Sequence, residues 1–344
     1  MNSLSWGILG TGRIAGIFAK QLAQSKTGKL IAVGSRSQAS ADKFTAEYRV
    51  PRGYSTYEAL LADSHVQAVY IATPHTSHAE WCLKAAAAGK HILCEKPLTL
   101  NSTEALAVVE AVRKYDVFLM EAFMYRCHPQ TARLIELLRE KVIGEVRVIH
   151  ASFGFHRDFN PETRLFKNAL GGGGILDVGC YTVSMSRLVA GIATGKSFAE
   201  PIEVKGCGHF APSGVDTWAT ASLKFPGDIL AALATSVEVQ QENTLRIHGS
   251  DGTIFVPAPW AQVHDGATTR LFVQRKGEPQ QEFIVELTQA AYAIEADHVA
   301  ANIERRQAPA MSWDDSLGNM QTLDRWRKSI GLIYESERAA GITL

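Results

Sequence analysis

The turn Gly10-Thr11-Gly12-Arg13-Ile14-Ala15 follows the apolar run 4–9 and precedes residues 14–23, which repeat with helical periodicity. In that setting the first glycine permits a tight turn, and the second lets the backbone approach a pyrophosphate. The small Ala15 lets helix pack on strand, and the helix N-terminus at Ile14 offers unpaired N–H groups to the anion. Arg13 is a candidate for a further phosphate contact. About 20 residues beyond such glycines, a fold that takes NAD carries an acid for the ribose hydroxyls. Here that place reads Gly34-Ser35-Arg36-Ser37, and no acid appears before Asp42. Ser35, Arg36 and Ser37 suit a 2′-phosphate, with the guanidinium stacking on adenine or pairing with the phosphate. The cofactor expected is NADP, with NAD the less favoured.

The elements that must position these groups follow from the apolar pattern. Strand-length runs at 29–35, 68–72, 91–94 and 117–120 alternate with helical stretches at 39–48, 57–63, 77–88 and 102–115. That alternation implies βαβ crossovers and a doubly wound parallel sheet of the Rossmann kind, which binds ligands beyond the carboxyl ends of its strands. Past residue 122 the pattern changes. A helix at 129–141 precedes a half-buried strand at 145–155, and a glycine-rich turn enters a helix at 175–189. Residues 202–287 read as successive strands with turns at Pro226-Gly227, Gly249-Ser250-Asp251-Gly252 and His264-Asp265-Gly266, and helices at 289–305 and 313–337 close the chain. Strands in direct succession imply a largely antiparallel, open sheet. The expectation is an α/β protein with a dinucleotide-binding domain over 1–122 and an α+β substrate and oligomerisation domain over 123–344.

Composition narrows the partners. Lys plus Arg equals Asp plus Glu at 35 each in 344 residues, so nothing favours nucleic acid or an anionic membrane. No apolar run approaches the roughly 20 residues of a membrane span, and the chain enters a strand without a signal-peptide pattern, so a cytoplasmic site is expected. The five cysteines, Cys82, Cys94, Cys127, Cys180 and Cys207, are scattered and read as packed, reduced thiols. His75 and His78 alone do not supply the three or four ligands of a zinc site, and no metal is expected.

The Gly10-x-Gly12 turn, the segment Ala72-Thr73-Pro74-His75-Thr76-Ser77-His78, the tripeptide Glu95-Lys96-Pro97 and the run Gly172-Gly173-Gly174-Ile175-Leu176-Asp177-Val178-Gly179-Cys180-Tyr181 occur in one order. In that order they resemble the glucose-fructose oxidoreductase / inositol dehydrogenase (Gfo/Idh/MocA) family over nearly the whole chain. Tyrosine at Tyr181, with Met120-Glu121-Ala122-Phe123-Met124-Tyr125-Arg126, is most similar to the branch containing dimeric dihydrodiol dehydrogenase, D-xylose dehydrogenase and glucose-fructose oxidoreductase. The resemblance implies a nicotinamide-dependent oxidoreductase acting on a sugar-like cyclic alcohol or its carbonyl.

Within that reading, Lys96 lies just past a strand end, where its ammonium can hydrogen-bond the reacting oxygen and lower the pKa of a nearby tyrosine. Pro97 holds Lys96 extended, and the Lys96–Pro97 bond is a candidate for the cis isomer. Tyr181 is then the general acid/base. Asp177, one helical turn earlier, orients substrate hydroxyls. Thr73 and Pro74 line the dinucleotide, His78 starts the next helix beside them, and Glu95 anchors either the loop or the nicotinamide ribose. Arg126 is a substrate-binding candidate, although Arg126 and Glu121 are equally compatible with pairing across an interface. Phe155, His156 and Arg157 end a strand, with Phe155 taken as the substrate contact. A regulatory protein sensing NADP(H) on the same scaffold is the alternative; it would be free to lose Lys96 or Tyr181, and both are present. Apolar residues on both phases of 229–239 leave an open sheet face, which predicts a homodimer or a dimer of dimers.

Overall fold

The computed structural model describes residues 3–260, 268–339 and 341 of the chain. The turn signal at His264-Asp265-Gly266 lies outside the described residues. The first unit begins with β1 (Leu4–Leu9), α1 (Arg13–Leu22), β2 (Gly28–Gly34), α2 (Gln38–Tyr48), β3 (Arg52–Tyr54) and α3 (Tyr57–Leu61). It continues with β4 (Ala68–Ile71), α4 (His78–Ala87), β5 (His91–Glu95), α5 (Ser102–Lys114) and β6 (Leu119–Ala122). The six strands pair in the order β3-β2-β1-β4-β5-β6, all parallel. The strand order reverses between β1 and β4, and the glycine turn leaves β1 at that switch point. Phe18 of α1 stacks on Tyr70 of β4 with ring centroids 3.9 Å apart, and meets Trp6 of β1 edge-on at 5.6 Å. Such pairs contribute about 0.5–1.5 kcal/mol beyond the area they bury. The three-residue β3 has no counterpart in the sequence reading, because Arg-Gly-Tyr offers neither an apolar run nor an alternation.

The second unit contains α6 (Pro129–Arg139), β7 (Val146–Gly154) and α7 (Cys180–Ala193), the last entered through a π-helical turn at Ile175–Gly179. Its strands continue as β8 (Glu203–Phe210), β9 (Asp216–Phe225), β10 (Ile229–Ser236), β11 (Thr244–Gly249), β12 (Gly252–Pro257), β13 (Thr269–Arg275) and β14 (Gln281–Val285). They form an eight-stranded sheet in the order β14-β13-β12-β11-β7-β10-β9-β8, antiparallel except for the β10–β7 pair. Burial alternates along β9 and β10. Ala219, Ala221, Leu223, Ile229, Ala231 and Leu233 are buried, while Trp218, Thr220, Ser222 and Leu230 are exposed.

The chain then forms α8 (Ala291–Asn302), α9 (Trp313–Ile330) and α10 (Glu335–Ala339). The compact units are not two consecutive stretches: Thr288–Leu317 rejoins the first unit, whose leading segment runs to His128. The expected single division after residue 122 did not include this return, since helical periodicity does not say which core a helix joins. Tyr292 of α8 meets Phe18 edge-on at 6.2 Å, and the Asp297 carboxylate takes the hydroxyls of Ser25 and Thr27 at 2.6 Å each. The helix read as 313–337 is two helices, broken at Gly331, whose φ of +79° ends the first.

Two compositional expectations also change. The helical run Asn168–Ala193, 26 residues, is long and apolar enough to cross a membrane by composition, yet its apolar window is fully buried as the core of the second unit. Cys82, Cys94, Cys127 and Cys180 are buried free thiols, but Cys207 is exposed, on the β8 strand at the sheet edge.

Candidate active site

In the first unit the glycine turn is fixed by close approach. Gly10 has φ +112°, and a Cβ there would lie 2.8 Å from the Ala72 carbonyl oxygen at the end of β4. Around Gly12 nothing lies within 4 Å of where a Cβ would stand. Gly12 also caps α1 without a side-chain hydrogen bond, and the first turn has no acidic residue, so its positive dipole end is not met by a carboxylate. Ile14 is half-buried and Arg13 exposed. At the end of β2, the buried Ser35 hydroxyl lies 3.2 Å from that of Thr11, while Arg36 is exposed. Ser37 caps α2, its Oγ accepting from the Ser40 N–H at 3.3 Å. The Thr73 hydroxyl oxygen is buried without a hydrogen-bond partner among the described residues. A cradle that a Cβ would fill, an uncapped helix start and an orphaned hydroxyl at the same sheet edge all fit a dinucleotide.

His78 ties two of these loops together. Its ring nitrogens lie 2.9 Å from the carbonyl oxygens of Thr73 and of Pro97. The Lys96–Pro97 bond is cis. Beyond it, the Leu98 N–H donates to Glu121 Oε1 at 2.8 Å, so Glu121 secures the loop that carries Lys96. Glu95 is buried and accepts the Tyr70 hydroxyl. Burial, together with the Glu95 charge, raises both Tyr70 and the fully buried Glu295 well above their ordinary values. Arg126, a candidate either for substrate contact or for pairing across an interface, is buried against Asp315 and donates through Nε to the Ala310 carbonyl at 2.9 Å. Its guanidinium is engaged inside the first unit, a pairing the sequence hid because the partner follows 189 residues later.

In the second unit, Asp177 lies in the π turn and Tyr181 in the first turn of α7. The expectation that both stand on one continuous α-helix is therefore corrected, because a π turn closes over five residues, not four. Both side chains are buried. Asp177 Oδ1 accepts from Arg164 Nη2 at 2.8 Å. The Tyr181 ring meets Phe153 at 5.1 Å and Trp260 at 5.9 Å, both edge-on, and the indole of Trp260 donates to the Ser152 carbonyl at 2.8 Å. The aromatic that frames Tyr181 is thus Phe153. Phe155 lies just past the end of β7, half-buried, with the Arg157 guanidinium 5.6 Å from its ring centroid. His156 is exposed and pairs with Asp158 at 3.2 Å. Strand alternation could have pointed to Phe153, but nothing local pointed to Arg164 or Trp260. Among the described residues no three His, Cys, Asp or Glu side chains gather as metal ligands.

Residues 4–123 match an oxidoreductase family with an NAD-binding Rossmann fold, and residues 131–255 match the GFO/IDH/MocA C-terminal domain. The chain is 33% identical to D-xylose 1-dehydrogenase (NADP(+)) 2 of Haloferax volcanii, over 99% of this chain and 100% of that protein. It is 30% identical to the trans-1,2-dihydrobenzene-1,2-diol dehydrogenase of Mus musculus, over 98% and 99%. It is also similar in structure to KijD10, a 3-ketoreductase from Actinomadura kijaniata in complex with NADP and TDP-benzene. There the TM-score is 0.84 at 26% identity, with 96% and 98% of the two chains covered.

Proposed function

The chain belongs to the Gfo/Idh/MocA family of oxidoreductases, and from that premise we propose an NADP-dependent enzyme acting on a sugar-like cyclic alcohol or the corresponding carbonyl. The observation that carries the cofactor assignment is the end of β2, where Ser35-Arg36-Ser37 stands in place of an acid beside the uncapped start of α1. Gly10, Gly12, Arg13 and Ile14 would hold the pyrophosphate, and Ser35, Arg36 and Ser37 would hold the 2′-phosphate. Thr73, Pro74, His78 and Glu95 shape the loops beside the nicotinamide. The bound nicotinamide supplies the hydride donor or acceptor.

The protein's own work is proton handling and orientation. Tyr181 takes the proton from the substrate hydroxyl during oxidation and returns it during reduction. A free tyrosine titrates near about 10, so it needs a cation to serve at neutral pH, and Lys96 is that cation. Asp177, steadied by Arg164, orients the substrate hydroxyls. The names of the relatives, a D-xylose dehydrogenase that uses NADP(+) and a dihydrobenzenediol dehydrogenase, support vicinal hydroxyls on a compact ring as the substrate class. The exposed sheet face with Trp218 and Leu230 supports assembly through a second copy, which light scattering at micromolar concentration tests.

The deciding experiment is a cofactor absorbance assay with NADP+ and NAD+ against D-xylose, other aldoses, trans-dihydrodiols and, in the reverse direction, α-dicarbonyls. Turnover with NADP+ preferred by about tenfold or more, the value of one lost charged contact, is the expected outcome. Cofactor binding with no turnover on any member would point to a sensor instead.

A further inference from the structure

Immediately before Asp177 the chain makes a tightly constrained turn. Gly173 has φ +108°, and a Cβ there would fall 2.2 Å from Asp216 Oδ1. A Cβ on Gly172 would fall 2.6 Å from the Leu165 carbonyl oxygen. Three buried side chains hold this turn. Asp216, the first residue of β9, accepts the Ile175 N–H at 2.7 Å through Oδ2. Thr235 of β10 donates its hydroxyl to the Gly174 carbonyl at 3.1 Å. Tyr334 donates to the Gly172 carbonyl at 2.8 Å. All three are fully buried, and Asp216 Oδ1 has no hydrogen-bond partner among the described residues.

A fully buried carboxyl with one oxygen unsatisfied is costly, and hydrophobic packing alone would not retain it. Its oxygens reach the place where, among the described residues, an α-helix opens as a π turn, a feature frequent at functional sites. We propose that Asp216 is a positioning residue: with Thr235 and Tyr334 it clamps Gly172–Ile175 so that the π turn presents Asp177 and Tyr181 to the substrate oxygen. This rests on the reading of Tyr181 as the proton-handling residue.

The groups around the carboxyl are few. Arg327 of α9 and Tyr334 act on it electrostatically, and Arg327 is itself paired with Asp324 and with Glu337 at 2.8–2.9 Å. Burial pushes the Asp216 acid up to about 7, opposed by the N–H groups of Ile175 and Gly174 and by Arg327. The carboxylate is the form that best accepts those N–H groups, so the clamp loosens as the pH falls through about 7.

The test compares D216A, D216N and Y181F with the wild type on the substrate turned over in the panel above, with NADPH binding followed by fluorescence. D216A removes both oxygens and should lower kcat about 10²-fold, the effect of a misplacement near 1 Å, while leaving NADPH affinity unchanged. D216N keeps one acceptor, so it should recover most of kcat but lose the decline that the wild type shows below pH 7. A folded D216A with wild-type kcat, or a D216N pH profile identical to the wild type, overturns the proposal. If D216A does not fold, T235V replaces it: a several-fold loss of kcat at unchanged NADPH affinity supports the clamp, and wild-type kcat overturns it. Y181F separates the two levels. Wild-type turnover in Y181F overturns the assignment beneath the proposal, whereas an inactive Y181F beside a fully active D216A overturns the positioning role alone.

Discussion

In the first unit the glycine turn after β1 is held by main-chain sterics, a backbone passing within 2.8 Å of where a side chain would begin. In the second unit the turn before Tyr181 is held by side chains arriving from 41, 61 and 162 residues away. The first arrangement needs a glycine between strand and helix and the main chain of Ala72 at the end of β4, and it depends on no side chain from elsewhere. The second depends on three distant positions at once, so on the proposed reading a substitution in β9 or β10 reaches Tyr181 without touching substrate.

The sharpest way to break that contrast is at Gly10. G10A places a Cβ against the Ala72 carbonyl at φ +112°, a strain of about 1–3 kcal/mol before any ligand clash. NADPH affinity, read by fluorescence titration, should fall more than about 100-fold once the displaced pyrophosphate loses its N–H donors as well. Near-normal binding would show that the turn is less tightly held than its geometry implies. A smaller effect is expected at Arg36, which is exposed. R36A should weaken NADPH binding about 10–100-fold, the equivalent of one charged hydrogen bond, and leave NADH binding unchanged. Equal losses for both cofactors would move Arg36 from the 2′-phosphate to the adenine.

The contrast between units explains what could be read from the sequence. β1, α1, β2 and β5 were legible within a residue or two because their signals are local: apolar runs, a glycine pair and helical periodicity. The antiparallel sheet was legible from strands in direct succession. The allegiance of α8 to the first unit was not, because its apolar face shows only that it packs, not against what. Nor were the partners of Asp177 and Arg126. An ion pair such as Arg126–Asp315, 189 residues apart, leaves no spacing signature, and an arginine bound for burial looks in sequence like one bound for substrate. The π turn was hidden for a related reason, since Asp216, which accepts its N–H, belongs to a strand 41 residues on.

The smallest effect sharpens the comparison through pH. His128, in the first unit, is pushed down to about 4 by burial, so the folded chain binds fewer protons there than the unfolded one. Its contribution falls as pH drops from about 6.5 to about 4. Asp216, in the second unit, is raised from 3.8 to about 7, so its contribution is complete below about 4 and is lost as pH rises through about 7. Each amounts to roughly 3–4 kcal/mol at most. Denaturation midpoints of H128Q and D216N, each subtracted from the wild type across this range, should slope in opposite directions. Parallel slopes would remove the distinction.

On the proposed reading, Lys96 and Tyr181 serve chemistry and not cofactor capture. The most direct test of that claim is to measure kcat and NADPH affinity together in K96M and Y181F. Both variants should bind NADPH as the wild type does while losing about 10²–10⁴ in kcat, the usual contribution of general acid–base catalysis. Turnover undiminished in either variant, or a loss that appears only as weaker NADPH binding, would contradict the claim.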